Sequence, residues 1–97
     1  MAQRLIVSGR AQREIGEAYE WYETRVPGLG LEFLRELDVQ FDIVCESPQR
    51  YREIFPGVRR ALLSHFPYGV FFASKGGVTS VLAVIHASRN PRRWPAR

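Results

Sequence analysis

The sequence predicts an α+β domain in which an N-terminal strand is followed by an αα-hairpin and then by a three-stranded antiparallel meander, with all strands in one mostly antiparallel sheet. Three observations support this prediction. Apolar residues recur at helical spacing over most of residues 8–46 and at strand spacing over residues 58–87. Turn-forming residues at 26–28 and 76–77 mark tight reversals between these segments. A chain of 97 residues has room for one modest core, so we expect residues 1–97 to form a single domain.

A short strand and an amphipathic helix open the chain. Residues 4–8 have the composition of a strand, and the Ser8 hydroxyl is suited to cap the next helix by accepting a hydrogen bond from an unpaired backbone N–H. Beyond Ser8, apolar side chains recur on one side of a helix, while the glutamates between them fall away from that side. The apolar stripe consists of Ala11, Ile15, Ala18, Tyr19 and Tyr22.

A second helix is predicted from about residue 29 to residue 46. Residues 26–28 end the first helix, because proline disfavours a helical residue before it and glycine tolerates the reversal. Val39 and Ile43 lie away from the apolar stripe of the second helix, so they are either additional helix packing or a patch for a protein partner. The stripe itself contains Phe33, Leu34, Leu37, Phe41, Val44 and Cys45.

Strands are predicted for the remainder of the chain. Residues 48–57 are expected to form a loop, followed by two strands over residues 58–66 and 68–74 that are antiparallel because only Pro67 separates them. Two glycines then accept the positive φ angles of a tight hairpin turn.

The last predicted strand covers residues 78–87 and is expected to be central in the sheet. Alternation places Leu82, Val84 and His86 on one face, and it places Val81, Ala83 and Ile85 on the other. Since both faces are apolar, both should be covered.

Charge divides the chain into two unlike halves. Residues 1–46 carry five arginines against nine acidic residues, whereas residues 47–97 carry eight arginines and Lys75 against Glu53 alone. Such asymmetry suits a basic half that faces nucleic acid or an acidic protein. The alternative is internal neutralisation, with acidic helices packed beside basic strands.

Several classes of protein and site are excluded by composition. No apolar run approaches the roughly 20 residues of a membrane span, and the N-terminus is too short for a signal peptide, so we expect a cytoplasmic protein without membrane association. Cys45 is the only cysteine and is expected to be a buried small hydrophobe. With two histidines and no phosphate-binding glycine motif, no metal and no cofactor are predicted.

The candidate catalytic residues are Arg60, His86 and Arg89. A histidine near neutral pH can act as general acid or base, and an arginine beside it can bind a phosphate, which together would allow metal-free cleavage of RNA. The plain alternative for His86 is a strand-end histidine held by a backbone carbonyl.

Further candidates lie on the basic half and extend to the C-terminus. Arg59 and Arg60 point to opposite faces of their strand, so that only one can join a site with His86. Tyr68 is either a stacking or hydroxyl-donating group or ordinary aromatic packing. The C-terminal residues Arg92, Arg93 and Trp94 have two interpretations: they either stack on nucleic-acid bases or clamp the tail to the sheet. We expect the cations and imidazoles of this half to converge on one exposed platform.

The chain resembles the RelE/ParE superfamily of bacterial type II toxins, often labelled plasmid-stabilisation proteins. The resemblance spans essentially the whole sequence and is carried by motifs in the same order and spacing. These are Ala18-Tyr19-Glu20-Trp21-Tyr22-Glu23, Pro27-Gly28-Leu29-Gly30, Arg59-Arg60-Ala61-Leu62-Leu63, Phe66-Pro67-Tyr68, Val81-Leu82-Ala83-Val84, His86, Arg89, Pro91 and Trp94.

This resemblance implies a toxin with a helical hairpin on an antiparallel sheet, held inactive by a cognate antitoxin. RelE-like members cut messenger RNA on the ribosome, and ParE-like members poison DNA gyrase. The second predicted strand, over residues 58–66, has no lysine, and Gly69 in the third strand stands where RelE-like toxins tend to carry an arginine. The Trp21-Tyr22-Glu23 and Pro27-Gly28-Leu29-Gly30 features resemble the ParE-like branch more closely. The expected function is growth inhibition by binding gyrase through Arg59, Tyr68, Arg92, Arg93 and Trp94. The alternatives are a ribosome-dependent endoribonuclease and an inactive member that only binds its antitoxin.

Overall fold

Two helices lie side by side against one face of a five-stranded sheet in the computed structural model, which describes residues 4–88. The first elements are β1 (Arg4–Val7), α1 (Gly9–Arg25) and α2 (Leu29–Glu46), followed by a 3₁₀ turn over Pro48–Arg50. The remaining strands are β2 (Glu53–Phe55), β3 (Val58–Leu62), β4 (Tyr68–Lys75) and β5 (Val78–His86).

The strand order in the sheet is β1-β5-β4-β3-β2. β1 runs parallel to β5, and all the other neighbouring pairs are antiparallel. The predicted α+β class is therefore confirmed, and β5 lies between two strands as its apolar faces require. Neither helix of residues 4–88 has both the length and the hydropathy of a membrane-spanning segment.

The main core lies between the helices and the sheet. Phe33 of α2 and Phe72 of β4 are completely buried in it, and the burial of such side chains stabilises a fold by roughly 1.5–3 kcal/mol each. A smaller cluster of Phe71, Ala83 and Ile85 covers the opposite face of the sheet. Cys45 is partly exposed, so its predicted full burial is wrong; it lies at the margin of the α2 stripe, whereas Val44 beside it reaches the core.

The helices begin and end where sequence predicts. Ser8 Oγ accepts a hydrogen bond from the Ala11 backbone N–H at 3.0 Å, which caps α1. Gly28, with φ of +91°, precedes α2 and offers it no side-chain cap. Glu23 of α1 replaces the missing cap, because its carboxylate accepts hydrogen bonds from the backbone N–H groups of Gly28 at 2.8 Å and Gly30 at 2.9 Å.

Two predictions about the meander are wrong in detail. Residues 48–57 are not only a loop, because they contain β2, which pairs irregularly with β3 through the Pro56-Gly57 turn and makes the meander four-stranded. Three residues at a sheet edge are too few to show an alternating pattern. The strand predicted to reach residue 66 ends at Leu62, since the carboxylate of Glu36 on α2 accepts hydrogen bonds from the backbone N–H groups of Ser64 and His65 and holds them in a loop.

Candidate functional site

A bulge in β5 changes which of its side chains face the helices. Phe71 pairs with Ala83 and Phe72 pairs with Val81, which leaves one extra residue on β5. As a result Val81 and Val84 share the core beneath the helices, while Ala83 belongs to the opposite face. The prediction that Val81 lies on the face opposite Val84 is therefore wrong, because simple alternation takes no account of the bulge.

Side chains from α1 and its cap form hydrogen bonds with backbone groups of β5 close to the bulge. Ser8 Oγ donates a hydrogen bond to the Leu82 carbonyl at 3.0 Å, and Glu14 Oε1 accepts one from the Val84 N–H at 2.8 Å. Arg10 Nε contacts the other carboxylate oxygen of Glu14 at 3.0 Å. These contacts fix α1 relative to the end of β5.

His86 ends β5 and packs against Tyr68, the first residue of β4. The two residues are paired in the sheet, and their ring centroids are 5.2 Å apart in an edge-to-face arrangement. The Ser88 N–H donates to His86 Nδ1 at 3.1 Å, and Ser88 Oγ is 2.9 Å from the same nitrogen. The hydrogen-bond network therefore assigns the proton of the neutral ring to Nε2. Among the described residues, the hydrogen-bond partners of the His86 ring are the backbone N–H and the hydroxyl of Ser88. The alternative interpretation predicts a backbone carbonyl.

A cleft of about 660 Å³ separates α1 from this end of the sheet. Tyr22 lines the cleft, and burial raises the pKa of its phenol, with the neighbouring Tyr68 adding to the shift. Its hydroxyl is therefore neutral at physiological pH. The described lining is Glu14, Glu17, Ala18, Trp21, Tyr22, Pro67, Tyr68, Val84, His86 and Ser88. We call this space the α1 cleft.

Arg60 lies on the face of the sheet opposite to the one on which the His86 ring contacts Tyr68. It pairs with Phe71, whose side chain belongs to the outer cluster, and directly paired residues share a face. A smaller hollow of about 240 Å³ is present there, and Gly69 leaves it open because a Cβ at this position would lie 3.2 Å from Arg60 Cδ. The described lining is Arg60, Leu62, Gly69, Phe71, Ile85, His86 and Ala87. Arg60 and His86 thus border one hollow, although the His86 ring packs against Tyr68.

The remaining candidate residues are spread over the molecule. Arg59 donates a hydrogen bond to the Tyr51 carbonyl, and its other nitrogen is 3.8 Å from Glu53. Val39 on α2 is 58% exposed, while Ile43 is partly buried. Arg89, Arg92, Arg93 and Trp94 lie outside the described residues. Among those described, Arg60 and His86 share the lining of one hollow, whereas Arg59 is held by Tyr51 and Glu53, so the expected platform does not bring all three residues together.

The residues that sequence reasoning missed are Glu14, Glu17 and Trp21. The sequence pattern places the two glutamates away from the apolar stripe of α1 and gives Trp21 no site role, but all three line the α1 cleft. Their spacing of three and four residues places them along one helix face, which is the signal that could have identified them. Within residues 4–88, no three histidine, cysteine or carboxylate side chains are grouped to hold a metal ion.

Comparisons with known proteins place this geometry among bacterial toxins. Residues 5–91 match a family model described as the ParE toxin of type II toxin-antitoxin system, parDE. The fold is similar to a solved structure of the chromosomal ParDE TA system from P. aeruginosa, with a TM-score of 0.77 and 19% identity over 89% of this chain and 97% of that chain. It is also similar to the isolated E. coli RelE toxin, with a TM-score of 0.67 and 21% identity over 98% of this chain and 95% of that chain. No curated protein matches the sequence.

Proposed function

Because this chain belongs to the ParE toxin family of type II toxin–antitoxin systems, we propose that it arrests bacterial growth by binding DNA gyrase and that a cognate antitoxin neutralises it. Its toxin class and its RelE/ParE fold follow from the family match and from the similarity to solved toxins. Gyrase as the target, and binding as the mode of action, are the proposal. Both partners would meet the toxin in the cytoplasm, where the sequence predicts it to be.

The observation that best supports binding over RNA cleavage is that Tyr68 and Ser88 already engage the His86 ring. Cleavage by a 2′-hydroxyl needs a proton acceptor, a proton donor and a cation around one phosphate. In the described residues, the His86 ring is held against Tyr68 and Ser88, while Arg60 packs with the outer cluster. Gly69 contributes space and no charged side chain, so fewer cations are available to bind a phosphate.

We propose that the target surface includes Tyr68 together with the C-terminal residues Arg92, Arg93 and Trp94. Tyr68 lies at the end of the sheet nearest to residue 88, from which these residues continue. Cations and aromatic rings suit a gyrase–DNA complex, because phosphate contacts supply much of the affinity for DNA. Arg59 is the weakest of the proposed contacts, since it already contacts Tyr51 and Glu53.

The proposed antitoxin contact is the exposed side of α2 around Val39 and Ile43. Val39 leaves a large apolar side chain 58% exposed, in a helix whose other face fills the core. A single exposed valine is ordinary, but a helix from a partner could cover it together with Ile43 one turn further along.

A RelE-like ribonuclease is the second candidate function, and one observation favours it. Arg60 and His86 border the same hollow, so a phosphate bound there could contact both side chains. In this version Arg60, His86 and Arg89 are the catalytic residues. An inactive member that binds only its antitoxin is the third possibility.

Induction of the toxin in bacteria without its antitoxin separates these functions. We expect growth arrest, induction of the DNA-damage response and intact messenger RNA. The H86A and R89A variants should arrest growth as the unmodified toxin does, because binding of gyrase requires neither side chain. R92A/R93A should be less toxic at equal protein level.

Cleaved messages that disappear in H86A would instead establish the ribonuclease. Normal growth at full expression of folded protein would establish the inactive member. If the antitoxin bound V39D/I43D with unchanged affinity, the patch of Val39 and Ile43 would not be its contact. The matched control is E46Q on the same helix, which should leave antitoxin binding unaffected.

A further inference from the structure

We propose that the α1 cleft binds an arginine or lysine side chain presented by a partner polypeptide. The cleft lies between α1 and the ends of β4 and β5, away from the exposed side of α2. The proposal assigns a ligand chemistry to this site and does not depend on whether gyrase or the ribosome is the target.

The charges of the cleft favour a cation. Glu14 and Glu17 are both in its described lining, one turn apart on α1, and that lining contains no lysine or arginine. Glu14 is already paired with Arg10 and accepts a hydrogen bond from the Val84 N–H, so much of its charge is balanced within the chain. Glu17 is exposed and is therefore the carboxylate available to a ligand.

Aromatic rings supply the second element of recognition. Trp21, Tyr22 and Tyr68 all line the cleft, and Trp21 is 51% exposed. A guanidinium near an indole ring gains roughly 0.5–1 kcal/mol at exposed sites and more when water is excluded. The chain itself shows that the Trp21 ring accepts this contact, because Arg25 Cζ lies 3.7 Å from the ring centroid.

The shape of the surface suits a polypeptide. A volume of about 660 Å³ is within the usual range for ligand sites and exceeds what one side chain needs. Trp21 and Glu17 of the cleft also line a shallow hollow along α1, together with Arg13, Gly16, Glu20 and Thr24. A polypeptide with a basic side chain in the cleft could therefore continue along the surface of α1.

Fluorescence of Trp21 measures this interaction directly. Full-length W94F toxin retains Trp21 as its only tryptophan. It is titrated with a short acetylated and amidated peptide that contains one arginine between two leucines, and separately with the same peptide containing citrulline, which is uncharged and nearly isosteric. We expect the arginine peptide to shift the emission and to bind at least threefold more tightly than the citrulline peptide.

Variants locate the binding site. E17Q should weaken binding of the arginine peptide about threefold, as expected for one partly exposed charge pair. E46Q removes a charge from an exposed residue outside the described linings and should leave binding unchanged. R25Q should tighten binding, because it removes a cation that competes for the Trp21 ring.

Three results would overturn the proposal. Equal affinity for the arginine and citrulline peptides would exclude recognition of charge. Equal weakening by E17Q and E46Q would show a general electrostatic attraction and not a site. Binding that appears only after Arg89, Arg92, Arg93 and Arg97 are all replaced by glutamine would assign the cleft to this chain's own arginines.

Discussion

Replacement of Glu23 tests how the helical hairpin is held. The N-terminus of α2 has no side-chain cap of its own, and both oxygens of the Glu23 carboxylate accept hydrogen bonds from its first backbone N–H groups, at 2.8 and 2.9 Å. Hydrogen bonds to a charged group contribute about 1.5–3 kcal/mol each, and a negative charge at a helix N-terminus adds about 0.3–1 kcal/mol. Glu23 is only partly buried, so the lower ends of these ranges apply.

We expect E23Q to lower the free energy of unfolding by about 1–2 kcal/mol. Glutamine keeps one acceptor oxygen but turns an NH₂ group towards a backbone donor and removes the charge. E23A, which loses both hydrogen bonds and the charge, should lower the free energy of unfolding by about 3 kcal/mol. For a domain of this size, each kcal/mol lowers the melting temperature by about 4–8 °C.

Urea unfolding followed by circular dichroism measures these differences. E20Q is the matched control, because Glu20 is an exposed glutamate of the same helix and should change stability by less than about 0.5 kcal/mol. If E23Q and E20Q were equally stable, Glu23 would not cap α2 in solution, and the contacts proposed to fix the hairpin would be unimportant.

Three further predictions concern packing, the bulge and pH. G30A should lower the free energy of unfolding in urea by about 1–3 kcal/mol, because a Cβ at this position would lie 2.7 Å from the Tyr19 ring. Unchanged stability would mean that the two helices separate easily. E14Q should speed amide hydrogen exchange at Val84 relative to E17Q, since it weakens the hydrogen bond at 2.8 Å, and equal exchange in the two variants would contradict this. Burial raises the pKa of Tyr22, so the unfolded chain loses the phenolic proton first, and the free energy of unfolding should fall as pH rises above about 10. Y22F should reduce this fall, and an unchanged slope of the free energy of unfolding against pH would refute the assignment.

The helices and most strand positions were predictable because their signals are local. α2 occupies residues 29–46 as its apolar spacing predicts, and Ser8 caps α1 with its own hydroxyl. The turn at Gly76 and Gly77 has the positive φ angles that its sequence favours. In each case, a few neighbouring residues determine the structure.

The arrangement of side chains at the end of the sheet was less predictable. Glu14 accepts a hydrogen bond from the Val84 N–H across 70 residues of sequence, and no local pattern predicts such a contact. The bulge places Val81 on the same face as Val84, which simple alternation does not predict. The α1 cleft was not predictable for the same reason, because the glutamates of α1 line a cleft only when β5 packs beside the helix.

Supercoiling by purified gyrase tests the proposed mode of action most directly. Relaxed plasmid, ATP and gyrase are incubated with increasing amounts of toxin that has been shown to arrest growth, with its R92A/R93A variant in parallel. We expect the unmodified toxin to inhibit supercoiling or to trap cleaved DNA, and the variant to require a higher concentration for the same effect. Complete supercoiling at a large molar excess of active toxin would contradict gyrase as the target.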